Sequence, residues 1–410
     1  MSHFRLLAGR DLTAGPETLD EHTRRLGPTP HGGPELIETL TRINLTGRGG
    51  ASFPVGAKWR SVAAKSRGSA TVIVNGAEGE PQSRKDRLLM TIRPHLVLDG
   101  AFLAARTLRA NQVVLYIGER HEAARSALTR ALAERPDSER RLARTVSAPD
   151  RYVAGVSSAA VHFVNEGVAT PTTTPPQAHE QGVDGAPTLV QNVESLAHVA
   201  LIARFGEEWH RSVGRRGGAG TLLLTLSGAV TGPGVYEVED GSTIAEVVAV
   251  AGGASEPAVA VLVGGYFGAW VRAEDAWGQP LEASALRARG LSLGCGVIGI
   301  LPASDCGVCE TARIMRFLAA ESSAQCGPCF FGLRGLADAC SRVAERGSNP
   351  EDMHRLQRWA LEVRGRGACH HPDGAAMFLL SALKTFSAEF AQHPAHWRAG
   401  HARETSRRPA

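Results

Sequence analysis

Residues 47–59 read GRGGASFPVGAKW, with three glycines in four positions, then Phe53-Pro54, then Lys58. A glycine has no Cβ, so its backbone can approach a ligand closely and take positive φ. Pro54 suits the first turn of a helix, where its missing N–H costs nothing. Over residues 54–65, Val55, Trp59, Val62 and Ala63 share one face of a predicted helix. The stretch is therefore a glycine loop feeding a helix N-terminus. Free N–H groups and the helix dipole there favour a phosphate or another anion. Lys58, one turn in, adds a positive charge. The spacing matches neither G-x-G-x-x-G nor G-x-x-x-x-G-K-[ST], so the segment alone also reads as a plain tight turn.

At 410 residues the chain exceeds one hydrophobic core and predicts two to four domains. Its net charge of +4 is small and its arginines are scattered, which implies no nucleic-acid partner. No apolar run reaches the roughly 18 residues a membrane helix needs, and the N-terminus lacks the apolar stretch of a signal peptide. A cytoplasmic protein with no direct membrane span is expected. Seven cysteines lie toward the C-terminus: Cys295, Cys306, Cys309, Cys326, Cys329, Cys340 and Cys369. An odd number at one end argues against a secreted disulfide framework and for metal or redox chemistry.

Residues 1–44 read as a wrapping arm. Thr71 to Val74 form a β-branched run bounded by turn residues, a buried strand. It ends in Asn75, Glu78 and Glu80, where open α/β sheets bind ligands. Those acids could equally be a solvated turn. A helix at 94–109, a strand at 112–118 and a helix at 121–134 predict a parallel sheet with helices on its faces. Residues 151–155 read as a further strand end, 169–187 as a loop, and 188–205 as a helix with Asn192 near its start. From about 215 to 302, strands at 221–230, 235–238, 258–263 and 269–271 and a helix at 243–251 predict a compact α+β module. Helices at 309–320, 329–346, 350–363 and 374–392 with short connections predict an antiparallel bundle, and 396–410 a disordered tail.

Cys326-Gly-Pro-Cys329 and Cys369 fall in two loops that open helices. Such loops can meet at one end of a bundle, and thiolates from a C-x-x-C and a distant Cys suit an iron–sulfur cluster. Ser323 stands where a C-x-x-C-x-x-C run would place its first cysteine. A zinc site built from both C-x-x-C pairs is the rival. The helix between them puts the pairs roughly 18 Å apart, too far for one tetrahedral ion. Cys340 and Cys295 read as structural.

In order, GRGGASFPVGAKW, VNGAEGEP, the KDR of Lys85–Arg87, PHL at 94–96, QNVESL at 191–196 and ESSAQCGPC at 321–329 resemble the flavoprotein subunit of bacterial complex I. Subunits of soluble NAD-linked hydrogenases and formate dehydrogenases are similar. The resemblance implies an α/β Rossmann-like domain at 45–214 that binds FMN and NAD(H). It further implies a β-grasp, soluble-ligand-binding domain at 215–302 and a four-helix bundle at 303–395 carrying a [4Fe–4S] cluster. Gly47, Arg48, Gly49, Gly50 and Lys58 would hold the FMN phosphate and ribityl chain. Asn75, Glu78, Gly155, Gln191 and Asn192 would line the flavin, while Phe53 and Glu80 would face the nicotinamide nucleotide. Glu80 and Glu78 are the catalytic candidates. Cys326, Cys329 and Cys369 would ligate the cluster, with Ser323 at the fourth corner or a [3Fe–4S] cluster in its place.

The implied activity is oxidation of NAD(P)H by FMN, with single electrons passed through the cluster to a ferredoxin-like, iron–sulfur or quinone-linked partner subunit. A membrane complex would be reached indirectly. The chain departs from the family pattern at Ala77, at Gly155-Val156-Ser157-Ser158 in place of a G-E-E-T turn, at Pro175-Pro176-Gln177, at Gln191 and at Ser323. Two missing carboxylates at Val156 and Ser157 support an alternative, a relay or assembly subunit that keeps the fold without oxidising NADH.

Overall fold

The computed structural model describes residues 4–394, so the tail at 396–410 lies outside the described residues. Two sheets organise the chain. The first is parallel throughout and holds β1 (Ala70–Gly76), β2 (Ala110–Gly118), β3 (Ala143–Ala148) and β4 (Thr188–Asn192) in the order β3-β2-β1-β4. The second holds β5 (Thr221–Gly228), β6 (Gly234–Glu239), β7 (Ala258–Val263), β8 (Ala269–Arg272) and β9 (Val297–Pro302) in the order β6-β5-β9-β7-β8. Only its β5–β9 pair is parallel.

Strands buried on both faces read as unbroken apolar runs, and Val72, Ile73, Val74 and Val113–Ile117 are fully enclosed. The helices that enclose them include α1 (Val55–Lys65), α2 (Lys85–Ile92), α3 (Pro94–Leu108) and α4 (Val193–Arg211). In α3 nearly every residue is buried. Among the described residues no single helix is long and apolar enough to cross a membrane. Past the second sheet come α5 (Gly307–Ala320), α6 (Arg334–Arg346), α7 (Pro350–Val363) and α8 (His371–Thr385). Their apolar faces share one core, and Leu262, Trp270 and Leu301 of the second sheet close it.

The helix expected at 188–205 is instead β4 followed by α4. TLVQN is a short apolar run, and periodicity alone cannot tell such a run from a buried helix. The Asn192 side chain decides the boundary. Its Oδ1 accepts the amides of Glu194 (3.0 Å) and Ser195 (3.4 Å), the N-cap of α4. β3 was not expected, because as an edge strand it is largely exposed and carries no apolar run. Residues 151–155 form a 3-10 turn, Tyr152–Gly155, instead of a strand end. The helix expected from Cys329 opens with a π-helical turn, Pro328–Leu333, before α6. The last helix begins at His371 and breaks at Phe386, after which Ser387–Gln392 forms a short helix.

The first described residues link the second sheet to the start of α3. The Glu237 carboxylate on β6 accepts the amides of Arg5, Leu6 and Leu7, each at 2.9 Å. The buried Arg93 guanidinium donates to the carbonyls of Leu7 (2.9 Å), Ala8 (3.0 Å), Arg10 (2.5 Å) and Ile92 (3.0 Å).

The sheets are also joined through Lys85 at the start of α2. Its Nζ lies 2.7 Å from both Asp86 Oδ1 and Glu194 Oε2. Glu194 Oε1 in turn accepts the amide of Leu223 on β5 at 2.9 Å. Burial opposes the Lys85 charge, but the two carboxylates outweigh it and raise its pKa above the usual range. Removing one partner of a buried ion pair leaves an uncompensated charge. Lys85→Met is therefore expected to cost about 3 kcal/mol or more, read as a lowered urea midpoint. An unchanged midpoint would contradict this role.

Candidate functional site

In the order β3-β2-β1-β4 the chain reverses direction of travel between β1 and β4, the switch point where open α/β sheets form a crevice at their carboxyl ends. The register pairs Asn75 with Asn192 there. Asn75 Nδ2 donates to the Gly155 carbonyl (2.8 Å), and Asn192 Nδ2 to Asp86 Oδ2 (2.6 Å). The glycine loop lies against this edge. Its turn is closed by Gly47 N donating to the Phe53 carbonyl (2.9 Å), and Arg48 N donates to Ser195 Oγ (2.9 Å). A Cβ on Gly49 would stand 3.1 Å from Asn192 Cβ, while Gly50 has φ +117° and open space where a Cβ would be. The backbone here is bare toward the crevice. Phe53 projects from the loop, 55% exposed.

Lys58 Nζ donates to the Val190 carbonyl at 2.5 Å. Burial pulls the ammonium down to about 8. A bound phosphate would reverse that shift. Gln191 Oε1 and Arg48 Nε are buried without a hydrogen-bond partner among the described residues, while Arg48 Nη2 reaches Asp240 Oδ2 at 3.1 Å.

Glu78 takes a left-handed conformation, φ 41°, at the end of β1. Its carboxylate accepts Ser83 Oγ (2.7 Å), Asp86 N (2.9 Å), Arg87 N (3.0 Å) and Arg87 Nε (3.1 Å). It caps the N-terminus of α2. Burial opposes its charge, but Arg87, Lys85 and these hydrogen bonds hold the carboxyl below its usual range.

Glu80 differs. Burial pushes it up to about 7 despite hydrogen bonds from Tyr266 N (2.9 Å) and Tyr152 OH (3.1 Å). The Cys295 thiol beside it is raised well above its usual value by burial and by the Glu80 charge. The Tyr152 ring meets Phe267, Phe317 and His371 edge-on at 4.8, 5.7 and 5.9 Å. Tyr152 N donates to Glu321 Oε2 at 2.8 Å. An aromatic joint thus runs from Glu80 to the helices that carry the cysteines.

Cys326, Cys329 and Cys369 are brought together. Burial leads in raising the Cys329 thiol to about 12, and the neighbouring Cys326 and Cys369 add to it. Ser323 Oγ hydrogen-bonds Gln325 Oε1 (3.2 Å), whereas the Ser322 hydroxyl is the one on Cys329. The Lys85–Asp86–Glu194 cluster escaped residue-level reading. Its signal was present in the KDR and QNVESL motifs, but nothing in one sequence says that they meet.

Three family models match the chain. They are the Nuo51 FMN-binding domain at residues 40–201, the SLBB domain at 223–265, and the NADH-ubiquinone oxidoreductase-F iron-sulfur binding region at 310–393. The F 2 subunit of the NADH-quinone oxidoreductase of Rhizobium meliloti (strain 1021) is 30% identical over 372 residues, covering 88% of each chain. The corresponding F subunit of Escherichia coli (strain K12) is 31% identical over 381 residues, covering 87% of this chain and 83% of the relative. A solved NAD+-reducing [NiFe]-hydrogenase in the H2-reduced state superposes with TM-score 0.78 at 30% identity. That match covers 88% of this chain but spans only 62% of the hydrogenase chain. Parallel sheet, glycine loop and cysteine-bearing helices thus define a flavoprotein joined to an iron–sulfur region. The chain belongs to the family of NADH-quinone oxidoreductase F subunits.

A carboxyl whose pKa is raised by folding stabilises the fold fully below its unfolded value and loses that contribution as pH rises through the folded value. For Glu80 that window runs from 4.5 to about 7. Wild-type protein is expected to lose up to about 3 kcal/mol more than Glu80→Gln across it. Urea unfolding of both proteins between about pH 4.5 and 7.5 reads the difference. Parallel profiles would show that Glu80 is not a strained acid.

Proposed function

We propose that the chain is the electron-input subunit of an oxidoreductase complex, taking hydride from NAD(P)H onto FMN. Its electrons then pass through an iron–sulfur cluster to an iron–sulfur, ferredoxin-like or quinone-linked partner subunit. The observation that carries this reading is the convergence of glycine loop, Lys58, Asn75 and Asn192 at the sheet's switch point, with Tyr152 joining that crevice to the cysteine helices. FMN accepts two electrons as hydride and iron–sulfur centres carry them singly.

The donor set fits FMN. Gly47, Arg48, Gly49 and Gly50 offer bare backbone, and Lys58 Nζ, with one of its three N–H groups given to the Val190 carbonyl, has two donors to spare for a phosphate. Asn75, Gly155, Gln191 and Asn192 supply amide and carbonyl groups for a polar ring edge. Glu78 supports the loop by capping α2. Glu80, near neutrality at physiological pH, stands as the acid or base beside the nicotinamide, and exposed Phe53 as a stacking surface for the nucleotide. Three thiols fit three corners of a cluster, leaving the fourth to Ser323, Ser322 or no protein ligand. This assignment divides the chain into an arm at 1–44, a Rossmann-like domain at 45–214, a β-grasp domain at 215–302 and a four-helix bundle at 303–395. The protein works in the cytoplasm, peripheral to a membrane complex if its partners form one. The relatives' shared naming as NADH-quinone oxidoreductase subunits disfavours the relay alternative.

Two measurements on one pair of proteins test the assignment. Purified wild-type protein is expected to reduce ferricyanide with NADH. Lys58→Ala is expected to retain at least tenfold less FMN at equal iron content, the loss of a phosphate contact of about 1.5–3 kcal/mol. Flavin-loaded protein with no NADH:ferricyanide activity would overturn the dehydrogenase reading, and undiminished flavin in Lys58→Ala would overturn the phosphate assignment.

A further inference from the structure

Cys306 and Cys309 take no part in the site above. They open α5, with Cys306 as its N-cap and Cys309 N donating to Cys306 Sγ at 3.4 Å. Most of α5 lies between them and the Cys326–Cys329 loop, roughly 18 Å of helix. Their neighbour is instead His393, from the far end of the described chain. Its Nε2 lies 3.3 Å from Cys306 Sγ and 3.7 Å from Cys309 Sγ. The three ligand atoms all lie within 4.8 Å of one another.

We infer that Cys306, Cys309 and His393 form a zinc site, distinct from the proposed cluster thiols Cys326, Cys329 and Cys369 and binding a single divalent ion. Zinc bonds of about 2.3 Å to sulfur and 2.0 Å to nitrogen, set tetrahedrally, put sulfur and nitrogen about 3.5 Å apart. The two observed distances bracket that value. Thiolate and imidazole are the donors a borderline-soft ion selects. The amide donated to Cys306 Sγ favours a thiolate there.

The histidine is held in place independently of its ring. His393 N donates to Ser348 Oγ and its carbonyl accepts Ser348 N, each at 3.0 Å. His393 is buried, while both cysteines are only half-buried, which leaves an approach for the ion. The Glu389 carboxylate accepts Gly307 N at 3.0 Å beside the thiols and adds negative charge. Water completes the tetrahedron. The ion ties the end of the helical region back to the start of α5, a staple that needs no catalytic partner.

Metal analysis of the full-length purified protein tests this. About one zinc per chain is expected beside the iron, with an X-ray absorption spectrum fitted by two sulfurs and one imidazole. Cys306→Ser/Cys309→Ser and His393→Ala are each expected to lose the zinc and keep iron and flavin. Because neither change touches the proposed cluster ligands, iron content reports whether the fold survives. Wild-type protein free of zinc with a Cys306–Cys309 disulfide by mass mapping would overturn the inference. So would zinc that persists in the double variant.

Discussion

A lysine ammonium with no access to water must be surrounded by acceptors, and Lys85 satisfies that condition with two carboxylates drawn from different segments. Asp86 is its neighbour in α2, and Glu194 opens α4. Each carboxylate then spends its other oxygen on the frame around the crevice. Asp86 Oδ2 takes the Asn192 amide, and Glu194 Oε1 takes the backbone of β5. One buried cation thereby sets the end of β4, the start of two helices and the approach of the second sheet. Because an ion pair of this kind is costly to bury, its retention fits a place where position matters more than stability. Glu78 adds to the same logic by capping α2 from a left-handed turn.

Much of the frame was legible in the chain. The runs at β1 and β2 are buried on both faces and therefore unbroken, and the glycine loop announced itself by composition. The elements that escaped are those set by tertiary contact. β4 is five residues long and looks helical until the Asn192 side chain is seen to cap α4. β3 lies at an edge where little apolar surface is required. The turn carrying Tyr152 is shaped by its neighbours, through Glu321 and the surrounding rings.

The candidate residues divide in the same way. Gly47–Gly50, Lys58, Asn75 and Asn192 were each visible as types, and the fold gathers them at one edge. Glu78 and Glu80 looked alike in sequence, two acids separated by one residue. Their surroundings separate them completely. Glu78 is saturated by donors and held ionised, whereas Glu80 meets aromatic rings and a thiol and is pushed toward neutrality. His393 had no local signal at all, since its partners lie more than eighty residues earlier and the pairing depends on how the helices close.

In the proposed function, reducing equivalents enter at the glycine-loop crevice and leave through the cysteine-bearing helices, joined by Tyr152 and its aromatic neighbours. An anaerobic visible titration of the intact protein with NADH tests this most directly. Flavin absorbance is expected to bleach, and iron–sulfur absorbance to fall with it. Flavin that remains oxidised with NADH in excess would contradict that route.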